Sequence, residues 1–136
     1  MIIKNNFYIL TGGPGSGKTT LIEYLKKRGY HCVSEVARKI IQMQIASSGK
    51  ALPWDNIPEY SQLMLQYSLQ DYLSLSQETD IYFFDRGIPD VLGYVKLVNL
   101  FEQDEYIKCV ENFRYNTDVF ILPPWKEIYK TDTERK

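Results

Sequence analysis

Residues 12–19 read Gly-Gly-Pro-Gly-Ser-Gly-Lys-Thr, and no other stretch limits the possible folds of this chain so strongly. The run before it, Asn6-Phe7-Tyr8-Ile9-Leu10-Thr11, is apolar and β-prone. The run after it, Thr19 to Arg28, carries apolar residues at helical spacing and is ended by Gly29. A G-x-x-x-x-G-K-T string between a strand and a helix has the form of a phosphate-binding loop. Its glycines let successive backbone N–H groups turn inward, and the helix N-terminus adds partial positive charge. An ordinary Gly-rich turn is the alternative, but such a turn has no use for Lys-Thr at its exit. The pattern assigns triphosphate contacts to Gly12, Gly13, Pro14, Gly15, Ser16, Gly17, Lys18, Thr19 and Thr20. Lys18 would neutralise the β/γ-phosphates, and the Thr19 hydroxyl would complete a Mg²⁺ shell. The expected ligands are therefore ATP, or another nucleoside triphosphate, and Mg²⁺.

The rest of the chain alternates between the two periodicities. His31-Cys32-Val33-Ser34 reads as a second strand, and Val36 to Ala46 as a helix with Val36, Ala37, Ile40, Ile41 and Ile45 at helical spacing. After a loop at 53–58, Glu59 to Gln77 predicts a long amphipathic helix with Leu63, Gln66/Tyr67, Gln70 and Leu73 near one stripe. Asp80 to Asp85 is a continuous apolar run closed by an acid, as in a buried parallel strand. Ile88–Leu100 and Glu102–Tyr115 read as helices, and Thr117–Leu122 as a fourth strand stopped by Pro123-Pro124. Strands alternating with helices predict an α/β, three-layer domain with a parallel sheet of about four strands. With 136 residues, one domain over 1–136 is expected, with 36–77 as a helical cover and 123–136 as a lid-like tail. Chemistry should collect beyond the carboxyl ends of the strands.

Bulk properties narrow the partners. A net charge of −1 and a pI of about 5.8 predict neither a nucleic-acid nor a membrane partner. Cys32 and Cys109 lie far apart and without a CxxC partner, which reads as small buried hydrophobes in a reducing compartment. No apolar run reaches the ~18 residues of a transmembrane helix. The N-terminus leads straight into the first strand, which leaves no room for a signal peptide. A cytoplasmic setting is the expectation.

Asp85 closes the most hydrophobic strand, where an acid can hold Mg²⁺ directly or through a water; a helix N-cap is the plain alternative. Arg86 follows, either as a bidentate phosphate contact or as a structural partner of Glu35 or Asp90. Gly87 is read as giving the backbone freedom to turn. Glu35 ends the second strand, next to the phosphate loop in a doubly wound sheet, and can accept a proton from a substrate hydroxyl or anchor a substrate. Arg38, three residues on, shares its helical face. Glu35 and Arg38, with Asp90, form the expected acceptor-side set, against the plainer reading of a surface salt bridge. Arg135 lies where a closing lid delivers an arginine to the transferring phosphate, with Asp132 and Glu134 to hold it when open; a frayed charged terminus is the alternative. His31, the lone histidine, reads as structural. Trp54 and Trp125 lie in loops, lining an acceptor pocket or covering the core.

In combination, TGGPGSGKTTLIEYL, SEVARKII, ALPW, FFDRGIPDVLGY and FILPPWKEIYKTDTERK resemble a family of small bacterial proteins called AAA-type or predicted ATPases. Their domain is similar to the nicotinamide-riboside kinase domain of NadR, closer to nucleoside and nucleotide kinases than to ring-forming machines. The resemblance runs over nearly the whole chain. It implies that Lys18 and Thr19 serve the triphosphate and metal, Glu35 acts as base, Arg86 contacts phosphate and Arg135 is a lid arginine; the family supplies no acceptor. The acid-arginine pair at 85–86 resembles a nucleoside-kinase motif, with Gly87 where those enzymes usually carry serine. The family pattern continues beyond a point equivalent to Lys136 with a helix, a fifth strand and a last helix, so the resemblance implies a C-terminally truncated domain lacking part of its nucleobase pocket.

Two function classes follow. The first is a small-molecule kinase that moves the γ-phosphoryl of ATP to a nucleoside-like, nucleotide-like or other hydroxyl acceptor. The alternative is an ATP- or GTP-hydrolysing switch or nucleotide-binding module without such an acceptor. No Asn-Lys-x-Asp string occurs, which favours ATP. A third possibility is a folded remnant without turnover.

Overall fold

The structure is a computed structural model that describes residues 1–13 and 15–123. Pro14 and residues 124–136, among them Trp125, Asp132, Glu134 and Arg135, lie outside the described residues, so the lid-like tail does too, apart from Pro123. In chain order the elements are β1 (Ile2–Ile3), β2 (Phe7–Thr11), α1 (Lys18–Lys27), β3 (His31–Val33), α2 (Val36–Ser47), α3 (Ile57–Ser74), β4 (Tyr82–Asp85), α4 (Ile88–Leu97), α5 (Asp104–Asn112), β5 (Phe113–Arg114) and β6 (Phe120–Ile121). The described chain is α/β, with parallel sheets and helices.

The main sheet runs β3-β4-β2-β6, all parallel. In this order, although Glu35 itself reaches the phosphate loop, the strand leading to it is not beside the strand of that loop. β4 lies between them, pairing Leu10 with Asp85 on one side and Val33 with Phe84 on the other. The apolar β4 takes an inner position, whereas β3 has three residues and an exposed first one, and takes the edge.

Alternation along the strands separates two faces. Phe7, Ile9 and Phe84 point into the core with Ile40, Tyr72, Ile88 and Val95 from the helices, and Phe7 packs edge-on to Tyr72 at 5.1 Å. On the other face Tyr8 lies 5.8 Å from Phe83 and 5.9 Å from Phe120. α1, which buries none of its residues, packs there beside β3, and the Cys32 thiol donates to Ile22 O at 3.9 Å.

Helix α3 buries a different stripe from the expected one. Tyr60, Ser61, Met64, Leu65, Ser68 and Tyr72 are its buried residues, whereas Leu73 is exposed. The buried face mixes tyrosine and serine with apolar residues, so a stripe drawn through leucines falls on the wrong side. The helix starts at Asn56, whose side chain accepts from Glu59 N at 3.2 Å.

The helix expected to reach Tyr115 stops at Asn112, where Phe113 turns extended. Phe113 and Arg114 then pair in parallel with Ile2 and Ile3. The Tyr72 hydroxyl donates to Arg114 O at 2.7 Å, with Ile2 O 3.2 Å away, and so holds this second sheet to the core. Among the described residues no helix is long and apolar enough to cross a membrane.

Candidate active site

The loop between β2 and α1 is shaped by Gly15 and Gly17, whose φ of 76° and 79° lie in the left-handed region that side chains disfavour. Gly17 is the residue before α1, so the helix opens on Lys18 with its free N–H groups facing the loop. A cavity of about 340 Å³ lies over it, walled by the loop glycines, Lys18 and Thr19 and, opposite, by Glu35, Arg38 and Arg86. A helix N-terminus with a flanking lysine and two arginines suits a polyanion.

The charges here are wired to one another. Lys18 Nζ lies 2.7 Å from Asp85 Oδ1 and 3.8 Å from Glu35 Oε2. Arg86 donates to Glu35 Oε1 at 3.0 Å and to the loop carbonyl Gly12 O at 2.8 Å. Arg86 takes a positive φ of 65°, a strained conformation for a residue with a side chain, and these contacts with its own N–H bond to Leu10 O at 2.9 Å hold it there. Of the two partners considered for Arg86, Glu35 is the one observed. Asp90 is engaged elsewhere: Oδ1 accepts from Thr11 Oγ1 and Oδ2 from Gly87 N, both at 2.8 Å, so its carboxylate caps α4.

The salt bridge between Glu35 and Arg38, the plainer reading of that pair, does not form. Glu35 sits just before α2, with φ −63° and ψ 127°, and its carboxylate turns to Lys18 and Arg86. Arg38 is exposed and makes no ion pair among the described residues, yet it and Glu35 border the phosphate cavity and both of the cavities beside it. The reason for Gly87 is also different from the expected one. Its φ of −135° is open to any residue. What it lacks is room, since a Cβ there would sit 2.9 Å from Ile9 Cδ1 and 2.9 Å from Tyr115 Cζ. The buried Tyr115 hydroxyl accepts from Ile88 N at 3.2 Å, and burial pushes its pKa well up.

The larger neighbouring cavity, about 480 Å³, opens between α2, α3 and α4 and shares Glu35, Arg38 and Arg86 with the phosphate cavity. Asp85 and Asp90 also border it. Its deeper wall is Tyr60, Met64 and Ser68 from α3 with Tyr94 from α4. Tyr60 and Tyr94 meet edge to face at 5.7 Å. The Tyr60 pKa is pushed up to about 12, first by burial and then by Tyr94 and Glu35, against the opposing effect of Arg86, so this hydroxyl stays protonated. Sequence reasoning missed these wall residues. The only available signal was the serine-tyrosine spacing on α3, which is not an apolar pattern.

Asp85 Oδ1 is buried, and Lys18 Nζ, 2.7 Å away, is its partner. Thr19 and Asp85 border a common cavity of about 380 Å³. A hydroxyl and a carboxylate are hard oxygen donors that fit Mg²⁺, which keeps most of its shell as water and phosphate. No cluster of three or more His, Cys, Asp or Glu suited to a metal occurs among the described residues. His31 stands at the start of β3, its Nε2 3.3 Å from Asp80 Oδ2 and its ring stacked on Tyr82. Trp54 is 66% exposed and lines none of these three cavities.

A parallel α/β sheet with a Gly-Lys-Thr loop between its inner strand and the first long helix defines a P-loop protein. Residues 7–136 match the AAA domain family, and the chain belongs to that family. Nucleotide binding is the property this membership suggests. Comparison with curated proteins returned no match.

Proposed function

We propose that this AAA domain is a Mg²⁺- and ATP-dependent small-molecule kinase acting on a hydroxyl acceptor. The observation that carries the reading is the 480 Å³ cavity that meets the phosphate cavity along Glu35, Arg38 and Arg86. A nucleotide switch needs the loop and Asp85 but has no use for a second small-molecule cavity at the phosphate end.

In this reading Lys18 and the loop N–H groups hold the triphosphate, with Thr19 and Asp85 as the groups that would hold Mg²⁺. The cation supplies charge neutralisation on the phosphates. A triphosphate competes with Asp85 and Glu35 for Lys18, because its own charge is larger than that of either carboxylate. Glu35, steadied by Arg86, accepts the acceptor's hydroxyl proton. The acceptor oxygen bonds to the γ-phosphorus, the bond to the bridging oxygen breaks, and ADP leaves. Positioning and charge stabilisation carry most of the catalysis. Arg38 serves at the mouth of the acceptor cavity. Arg135 is proposed as a lid arginine on position in the chain alone.

Glu35→Gln keeps the shape and removes the base. It should lower acceptor phosphorylation by roughly 10²- to 10⁴-fold, while calorimetry with ATP and Mg²⁺ changes only a few-fold. Normal turnover in this variant would remove Glu35 from the mechanism.

A further inference from the structure

The deep wall of the acceptor cavity carries two hydroxyls that the protein itself does not use. Tyr60 is 5% exposed and Ser68 is 6% exposed, both border the cavity, and neither hydroxyl makes a hydrogen bond among the described residues. Neither oxygen is among the fully buried unpartnered atoms, so each reaches the cavity, where water or a bound molecule can meet it. They lie eight residues apart on α3, close to two turns, so they belong to one face of that helix. Ser61, on the same helix, is a useful contrast: its hydroxyl is fully buried without a partner, and it does not border the cavity.

Charge and shape restrict what can meet the two hydroxyls. The carboxylates at the phosphate end are matched within the protein: Glu35 by Arg86 and Lys18, Asp85 by Lys18, and Asp90 by Thr11 and Gly87. The one uncommitted cation bordering the cavity among the described residues, Arg38, is exposed at the mouth. Deeper in, the wall is neutral, and a charge placed there would be desolvated without a partner. Between the Tyr60–Tyr94 pair and Met64 the surfaces are aromatic and thioether, which favour a flat ring.

We infer that Tyr60 and Ser68 are acceptor-binding, specificity-determining residues, and that the acceptor is an uncharged small molecule combining a flat ring with several hydroxyl or amide groups. This rests on the reading of the cavity as the acceptor's. The hydroxyl proton needed by Glu35 is then at one end of the molecule, and the groups read by Tyr60 and Ser68 are at the other.

The test uses the full chain with its phosphate cavity saturated by Mg²⁺ and the β,γ-imido analogue of ATP. The probes are adenosine and uridine, their 5′-monophosphates, and ring-free sorbitol, each titrated by calorimetry. At least one nucleoside should bind, with its monophosphate and sorbitol at least ~10-fold weaker. Tyr60→Phe and Ser68→Ala should each weaken that nucleoside about tenfold, roughly the worth of one hydrogen bond. Without any ligand, both variants should melt near the wild-type Tm, since neither substitution breaks a hydrogen bond among the described residues. Ser61→Ala should melt at or above the wild-type Tm, because it removes a buried unmet hydroxyl, and should leave nucleoside binding unchanged. A lower Tm for Tyr60→Phe and Ser68→Ala would show that the hydroxyls are structural and overturn the inference. So would unchanged nucleoside affinity in both variants, tighter binding of a monophosphate, or no nucleoside binding at all. Failure of the imido analogue to bind would count against the kinase reading instead, and the Tm comparison would still decide the role of the two hydroxyls.

Discussion

The phosphate cavity and the cavity beside it are built on opposite principles. In the first, the charges of Lys18, Glu35 and Arg86 are bonded within the protein: Lys18 to Asp85 and Glu35, and Arg86 to Glu35 and Gly12 O. In the second, the deep wall leaves the hydroxyls of Tyr60 and Ser68 without partners. A charged cradle emptied of its ligand would be self-repelling if its charges were unmatched, so counter-charges within the protein keep it folded. Two neutral hydroxyls that face a cavity need no such counter-groups, because water there can meet them. Under the proposed kinase function, the difference divides the selectivity: charge and backbone would select the triphosphate, and uncharged groups on α3 would select the acceptor.

Lys18→Ala should break the first region alone and gives the largest effect. Losing a charge-assisted contact worth about 2–3 kcal/mol predicts roughly 100-fold weaker Mg²⁺–ATP binding in calorimetry. The same variant should keep the α2–α3–α4 cavity intact, seen as unchanged tyrosine near-UV circular dichroism.

Gly87→Ala strikes the joint between the two regions. Its Cβ would meet Ile9 and Tyr115 at 2.9 Å, and Tyr115 in turn holds the first N–H of α4. Overpacking of this kind costs roughly 1–3 kcal/mol, so chemical denaturation should show a lower midpoint at constant slope. An unchanged midpoint would mean that the fold has slack at this position.

The mildest probe is alkaline pH. Burial raises Tyr60 and Tyr72 from 10.0 to about 12 in the folded chain. Between those values the native state holds protons that the unfolded chain has lost. Their contribution to stability is fully present below pH 10 and disappears as pH rises through about 12. Tyr60→Phe should flatten part of that decline in a denaturation series across pH 9–12.

Much of the frame was legible because local patterns carry it. The strand–loop–helix around residues 12–19, the apolar run closed by Asp85 and the helices after Val36 and Ile88 each announce themselves within a dozen residues. Glu35 and Arg86 were legible as residues near strand ends and as one of the two pairings open to Arg86, but the choice of Glu35 over Asp90 is made by the tertiary arrangement. The β1–β5 pair was invisible because two-residue strands have no period. Gly87 was misread because crowding by Tyr115, 28 residues away, leaves no mark on the local sequence. Tyr60 and Ser68 were missed for a related reason. Their value depends on what α2 and α4 leave open beside them, and the buried stripe of α3 is too polar to be found by apolar spacing.

The central claim is that the two cavities act on one reaction. The most direct test is to follow ATP labelled at the γ-phosphorus with the full chain, Mg²⁺ and a panel of uncharged, ring-bearing alcohols. The account predicts that at least one alcohol speeds ATP consumption and that the label appears in that alcohol. Label released only as inorganic phosphate, at a rate no alcohol changes, would contradict it and leave a nucleotide hydrolase.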